Sequence, residues 1–565
     1  MPTQKTAVVR AAGTAAVLAV LTACTGLPTP AASTFPTAAQ SSTTTSPTPE
    51  AEAPVSDSAL KAHGVSAAHP AAVEAGMTVL ERGGNAVDAA IATAFAVAVV
   101  EPFASGIGGG GSAIVAPTGG QPRAYDYREV VAQNGKIPPS GTGIPGFVAG
   151  MAALHDDHGQ LEWAELLQPA TTLASEGFPV SEFLALRMRS DYGPGAISGQ
   201  DQFKGWGGLF ALEAGDELVQ EELANTMTTI AEDGPDSFYT GKIAEQLEAV
   251  DGIDADSLAA YEVVRSEPAR GDVGNYEVVS AAPALPGVAV IQMLQVAESL
   301  GIAESEPGSA DYVEKLSTGW QVADAAVTAE LGDPAFVDVP VDELTDPARN
   351  AALATNVTAS PAPGGEGDNL AAAAKLVPGN TTHITVVDSD GLMVSMTNTI
   401  TSFWGGSDAQ VVGGFFLNNQ LSRFDALDTP QNQPAPGRRS VSWAAPTVVL
   451  DDQDRPVLGL GSPGGHQIPN ILANVLTRWA LHGQPLADAV AAPRFHLQDG
   501  QLTVEEPPSD DLADRLEELG WTTDVVTVEE AIFGSVQALE VDHTTGEITG
   551  TADTRREADF IVGPP

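Results

Sequence analysis

Gly379-Asn380-Thr381-Thr382-His383-Ile384-Thr385-Val386-Val387-Asp388 is the stretch whose reading decides the fold. Paired threonines stand between a Pro/Gly/Ala-rich approach, 361–380, and an alternating run that has the period of a β-strand. A threonine hydroxyl is a poor nucleophile unless a base lies within hydrogen-bond reach, and an α-amine on the same residue is one such base. Thr381 acquires that amine only if the chain is cut after Asn380. The stretch therefore reads either as an ordinary strand or as the future N-terminus of a self-processing precursor. The residues around it decide between the two.

Working outward, 383–388, the turn Ser389-Asp390-Gly391 and 392–399 make a strand, tight turn and strand. A second hairpin is expected at 447–450 and 456–460, followed by helices at 469–482 and 509–520 and strands near Val525 and Val536. Upstream, helical spacing predicts helices at 70–82 and 86–100, separated by Gly83-Gly84-Asn85. The loop Glu101-Pro102-Phe103-Ala104-Ser105-Gly106-Ile107-Gly108-Gly109-Gly110-Gly111 lacks the lysine and Ser/Thr of a P-loop and follows a helix. It reads as a backbone-packing or substrate-wall segment. Strands are expected at 112–116, 124–127 and 276–281, and 146–301 is mostly helical, with Trp163 and Phe238-Tyr239 as core aromatics. Helices and antiparallel strands in blocks point to a layered α+β fold, not a doubly wound parallel sheet.

The 565 residues carry 25 Lys plus Arg against 74 Asp plus Glu, a net charge of −49. Such a field repels nucleic acid and anionic membranes, which excludes both as partners of the folded body. The single cysteine, Cys24, closes a basic start (Lys5, Arg10), an apolar run at 11–20 and Leu21-Thr22-Ala23-Cys24. This is a secretory leader whose end resembles a bacterial lipobox, with Cys24 the lipidated residue; a plain signal peptide cut near Ala23 is the alternative. The apolar run is too short for a membrane span of ~20 residues. Residues 1–24 thus read as a lipoprotein signal, and 25–56, rich in Pro, Ser and Thr, as a disordered tether. The expected location is extracytoplasmic, on the cell membrane, or secreted if the lipobox is not used. The nine histidines show no H-E-x-x-H or comparable spacing, so neither a metal nor a cofactor is expected.

The chain also resembles the γ-glutamyltransferase (γ-glutamyl transpeptidase) family of N-terminal-nucleophile hydrolases. The resemblance rests on His69-Pro70, Gly83-Gly84-Asn85-Ala86-Val87-Asp88-Ala89-Ala90, Glu101-Pro102, Ser105 to Gly111, Arg128-Glu129, Pro145-Gly146, Phe238-Tyr239 with Gly241, and Thr381-Thr382-His383. It continues through Leu417-Asn418-Asn419-Gln420, Gly461-Ser462-Pro463-Gly464-Gly465 and Ala492-Pro493-Arg494-Phe495-His496, in the family's order from about His63 to the C-terminus. It implies a four-layer αββα sandwich and a precursor cut into a large subunit, 57–380, and a small catalytic subunit, 381–565, which stay together. By resemblance Thr381 is the nucleophile, Thr399 hydrogen-bonds it, and the backbone N–H groups of Gly464 and Gly465 bind the oxyanion. Arg128 corresponds to the arginine that grips the donor's α-carboxylate.

Three positions depart from the family pattern. The aspartate that pairs with the donor's α-ammonium, three residues after Gln420, is here Arg423, which can neither accept a hydrogen bond nor neutralise an ammonium. Thr401 stands where many relatives have an asparagine. Of a serine pair in the donor pocket Ser442 remains and the second is Trp443. The expected function is an extracytoplasmic γ-glutamyltransferase-like enzyme that cleaves itself before Thr381. It then transfers or hydrolyses a γ-glutamyl, glutaryl-like or polyglutamyl acyl group, with an amine or water as acceptor. The competing reading is an inert, lipid-anchored binding protein on the same scaffold.

Overall fold

The computed structural model describes residues 60–190, 212–357, 380–498, 501–526 and 532–565. The expected leader, Cys24, the tether and most of the approach to Thr381 lie outside the described residues.

Two antiparallel sheets carry the fold. The first has seven strands in the order Asp559–Gly563, His63–Ala67, Thr382–Val387, Met393–Thr399, Gly110–Ala116, Arg123–Asp126, Val264–Ser266. The second has six, in the order Glu547–Ala552, Gln537–Asp542, Pro456–Gly461, Thr447–Leu450, Tyr276–Ser280, Ala269–Val273. The expected hairpin at Thr381 is the centre of the first sheet, with Thr382 opposite Asn398 and Thr399 opposite Gly110. The sheets face each other across this hairpin. A Cβ on Gly461 would lie 2.3 Å from the His383 ring, and one on Gly459 2.7 Å from Thr385 Cγ2. Only glycine at these two places lets the second sheet approach so closely.

Helices close the outer side of each sheet. Pro70–Glu81 starts at His69, whose Nδ1 accepts from the Ala71 N–H, with Pro70 in the first turn where its missing donor costs nothing. Ala86–Val100 is buried along its whole length, and Asn85 and Asp88 form a capping box at its start. Asp388, at the end of the nucleophile strand, accepts from the Ala86 N–H at 2.9 Å, so the strand and the helix are tied end to end. On the other side, Gly287–Ser299 packs on Ala269–Val273 and Tyr276–Ser280. The long helix Ala310–Glu330 and the helix Ile468–Leu476 lie against it.

The expected helices and hairpins are present, the helix at 469–482 ending in a π-turn at Thr477–Leu481. Trp163 is only half-buried, donating its indole N–H to the Ile230 carbonyl. The glycine-rich loop does pack backbone on backbone: a Cβ on Gly109 would meet the Thr399 carbonyl oxygen at 2.2 Å, and one on Gly111 would meet the Thr397 carbonyl oxygen at 2.4 Å. Among the described residues no helix is long and apolar enough to cross a membrane, and no group of three or more His, Cys, Asp and Glu is placed to hold a metal.

Candidate active site

Thr381 sits one residue before the central strand, buried, with φ at +135°. A β-branched residue avoids positive φ, and such conformations cost on the order of 1–3 kcal/mol unless their surroundings impose them. The surroundings here are polar and specific. The Thr381 hydroxyl donates to Thr399 Oγ1 at 3.2 Å, and the same oxygen accepts the Thr401 N–H at 2.8 Å. On the N-terminal side the Asn380 side-chain amide donates to the Thr401 carbonyl, and Arg556 Nη1 reaches the Thr381 carbonyl at 3.4 Å. The Asn380–Thr381 bond is thereby held from both flanks.

A hydrogen-bonded chain leads away from this point. Thr401 Oγ1 donates to Gln420 Oε1 at 2.5 Å, Gln420 Nε2 donates to Ser440 Oγ at 2.9 Å, and Arg128 Nη1 donates to the Ser440 carbonyl at 2.6 Å. Thr401, Gln420 and Arg128 are thus brought together with Thr381 and Thr399. Arg128 is fully buried, with Nε and Nη2 on the two oxygens of Asp126 at 3.0 and 2.6 Å. Burial alone would raise the Asp126 carboxyl, but Arg128 and Arg439 hold it below the usual range. Three of its five guanidinium N–H groups are engaged by described residues.

Gly464 and Gly465 follow the strand Pro456–Gly461, which packs on the nucleophile hairpin. Their φ angles, +146° and +57°, are ones that other residues rarely adopt, and a Cβ on Gly464 would lie 2.6 Å from Ile471 Cδ1. Ser442 and Trp443 are both buried, Trp443 against His466. Arg423 opens the short helix Arg423–Ala426 and is half-buried. Burial lowers its pKa, its Nε is enclosed without a hydrogen-bond partner, and among the described residues no carboxylate pairs with it.

The profile of the family described as Gamma-glutamyltranspeptidase matches residues 72–562. The chain belongs to the gamma-glutamyltranspeptidase family. It is an enzyme of that family's N-terminal-nucleophile class. The Bacillus anthracis capsule biosynthesis protein CapD proenzyme is 36% identical over 496 residues, spanning 87% of this chain and 89% of that one. The Escherichia coli (strain K12) glutathione hydrolase proenzyme is 32% identical over 529 residues, spanning 87% and 90%. Among solved structures, the cephalosporin acylase from Bacillus halodurans superposes with a TM-score of 0.79 at 25% identity, covering 92% of this chain and 98% of its own. The family's transpeptidases, hydrolases and acylases share one scaffold, so activity within it is set by pocket residues.

Sequence reading missed Asp126 and Arg556, which the fold of this transpeptidase-family chain gathers here. Asp126 is the partner of Arg128, and its signal was available as two like-facing residues at strand spacing. Arg556 comes from 175 residues further on, and no local pattern marks it. Two buried acids flank the glycine loop: burial pushes Glu101 up to about 7 despite Arg556 nearby, and Glu129 up to about 8. Neither Glu129 oxygen has a hydrogen-bond partner. With a folded pKa above the unfolded value near 4.5, Glu129 keeps its proton in the native state. Its contribution favours folding below pH 4.5 and is lost as pH rises toward 8. At ~1.4 kcal/mol per pKa unit the loss is on the order of 5 kcal/mol. Thermal melts of Glu129→Gln should therefore gain on the parent progressively between pH 5 and 8.5; parallel curves would mean that the carboxyl is ionised and compensated in the fold.

Proposed function

We propose that this chain is an extracytoplasmic acyltransferase or hydrolase that matures by cleaving its own Asn380–Thr381 bond and prefers γ-linked acyl donors without a free α-ammonium. The single observation that carries the donor preference is Arg423, a half-buried guanidinium whose Nε is enclosed without a hydrogen-bond partner and with which no carboxylate among the described residues pairs. An α-ammonium placed beside it would meet a second positive charge. A glutaryl-type acyl group brings its one free carboxylate to Arg128 or Arg423 with no ammonium beside it, and a γ-linked polyglutamyl chain whose nitrogen is acylated carries enough carboxylates to meet both.

In maturation the Thr381 hydroxyl adds to the Asn380 carbonyl carbon and the Asn380–Thr381 C–N bond breaks. The hydroxyl proton ends on the departing nitrogen, leaving an ester that water hydrolyses to the Asn380 carboxylate and a free Thr381. Strain at Thr381 and the grips of Asn380, Thr399 and Arg556 favour the reactive geometry. In turnover the freed amine takes the Thr381 hydroxyl proton as oxygen attacks the donor amide. The amide C–N bond then breaks, the leaving amine departs with a proton, and an acyl-threonine remains for water or an amine to accept. Gly464 and Gly465 N–H groups would stabilise the oxyanion of each addition, and loss of one such donor typically costs ~10²–10³ in rate. The large and small subunits would remain joined as a heterodimer in an αββα sandwich, anchored to the membrane through Cys24.

Two measurements test this. Denaturing mass analysis of protein lacking residues 1–24, with N-terminal sequencing, should give two chains, the lighter beginning Thr381-Thr382-His383; one intact chain after prolonged incubation would return the inert-scaffold reading. Comparison of kcat/KM for glutaryl and γ-glutamyl anilides should favour glutaryl by ~10-fold or more, since the two donors share one carboxylate and only γ-glutamyl carries an ammonium left unpaired beside a guanidinium, a cost of ~1–3 kcal/mol or more. A preference for γ-glutamyl would remove the donor proposal while leaving the maturation step intact.

A further inference from the structure

The Gly464–Gly465 loop has an unusual anchor. Two consecutive positive-φ glycines have no side chains with which to hold themselves, so their path must be imposed by the residues on either side. On the N-terminal side Ser462 Oγ donates to the Pro463 carbonyl at 2.7 Å and accepts the Ser535 N–H at 3.1 Å. On the C-terminal side stands His466. Its ring lies 4.3 Å from that of Trp443 at 87° and 5.2 Å from that of Trp320 at 78°, both edge-to-face, and its Nε2 is 3.5 Å from Asp324 Oδ1. Trp320 and Asp324 are one turn apart on the helix Ala310–Glu330, so they present one face to the imidazole. Trp443 belongs to the donor-pocket segment next to Ser442. One ring therefore connects the glycine loop, the donor pocket and a helix from the part of the chain before the cleavage point.

We propose that His466 is a positioning residue for acyl transfer: wedged between Trp443 and Trp320 and bridged to Asp324, it holds the Gly464–Gly465 amides aimed at the developing oxyanion. The inference rests on the reading of those amides as oxyanion donors. Donors of this kind act on the transition state and not on the bound substrate, and loosening them lowers kcat while leaving KM in place. Edge-to-face rings have preferred angles, so they fix orientation where a flexible polar contact would not. Trp443 then has a second consequence besides removing a serine from the donor pocket: it is one jaw of the clamp.

The test uses the matured two-chain protein and whichever anilide, glutaryl or γ-glutamyl, the parent turns over. His466→Ala is expected to lower kcat by ~10–10² with KM within about twofold. Trp443→Ser should lower kcat too, and the double variant should fall no further than the worse single one, since both open the same clamp. An unchanged kcat in His466→Ala, a change in KM alone, or additive losses in the double variant would overturn the inference. Should His466→Ala fail to fold, Asp324→Asn carries the same test, with a ~3–10-fold loss in kcat expected and an unchanged kcat overturning it. A parent that forms no acyl-enzyme with either donor defeats the underlying functional reading. An active parent with a fully active His466→Ala defeats this inference alone.

Discussion

Thr381→Ala is expected to leave one intact chain and to reduce acyl transfer by ~10⁴ or more, because it removes the group that breaks both bonds. The hydroxyl is the only side-chain oxygen that Thr381 brings to the scissile bond, and it is already oriented by Thr399 at 3.2 Å. Alanine retains Cβ and the backbone and deletes the nucleophile together with the γ-methyl. Loss of a nucleophile in a preorganised hydrolase site commonly costs several powers of ten, with a residue of activity left by the oxyanion donors and binding. The strain argument makes a second statement about the same variant. A residue at φ +135° is held there by Asn380, Thr401 and Arg556, so the uncleaved alanine variant should remain folded and show a melting transition like that of the parent precursor. Thr381→Ser supplies the control, since it restores an oxygen and should restore two chains at a reduced rate. Cleavage at the same bond in Thr381→Ala, detected by N-terminal sequencing, would show that another protease makes the cut and would remove the self-processing mechanism.

The sequence makes the catalytic hairpin legible because its alternation is local: Thr382–Val387 and Met393–Thr399 are joined by Asp390-Gly391, and each residue's face follows from its neighbours. Ala86–Val100 is legible for the opposite reason, a helix so uniformly apolar that it has only one place to go. The strand beside the hairpin was not expected. His63–Ala67 is five residues of mostly small side chains with no period, and it becomes a strand only by pairing with Thr382–Val387 and with Asp559–Gly563 at the far end of the chain. Non-local pairing leaves no trace in a short window. The same distinction separates the site residues. Arg128, Thr399 and the two glycines lie inside motifs, whereas Arg556 and the Trp320–Asp324 face reach the site from remote segments. Arg423 and Trp443 stood out as residue types that do not fit an amino-acid donor. The absence of a carboxylate around Arg423 among the described residues could come only from the fold.

That absence sets the second large effect, in Arg423→Asp. The variant should reverse donor preference, raising kcat/KM for γ-glutamyl relative to glutaryl anilide by ~10² or more. Two terms add. Removing the guanidinium abolishes repulsion of the donor's α-ammonium, and the new carboxylate supplies a charge-assisted hydrogen bond worth ~1.5–3 kcal/mol. Because Arg423 makes no side-chain hydrogen bond and no ion pair with any described residue, its removal orphans nothing in the protein and should cost little stability. Arg423→Gln separates the terms: it abolishes the repulsion but adds no carboxylate, so the ratio of the two anilides should move toward γ-glutamyl only part of the way that Arg423→Asp moves it, since a neutral amide neither repels an ammonium nor neutralises it. Thr381 and Thr399 are untouched in both variants, so maturation into two chains should proceed as in the parent. If Arg423→Asp matures normally and keeps the parent's ratio of the two anilides, Arg423 faces away from the donor. Selectivity would then lie with Arg128, Thr401 and the Trp443 wall.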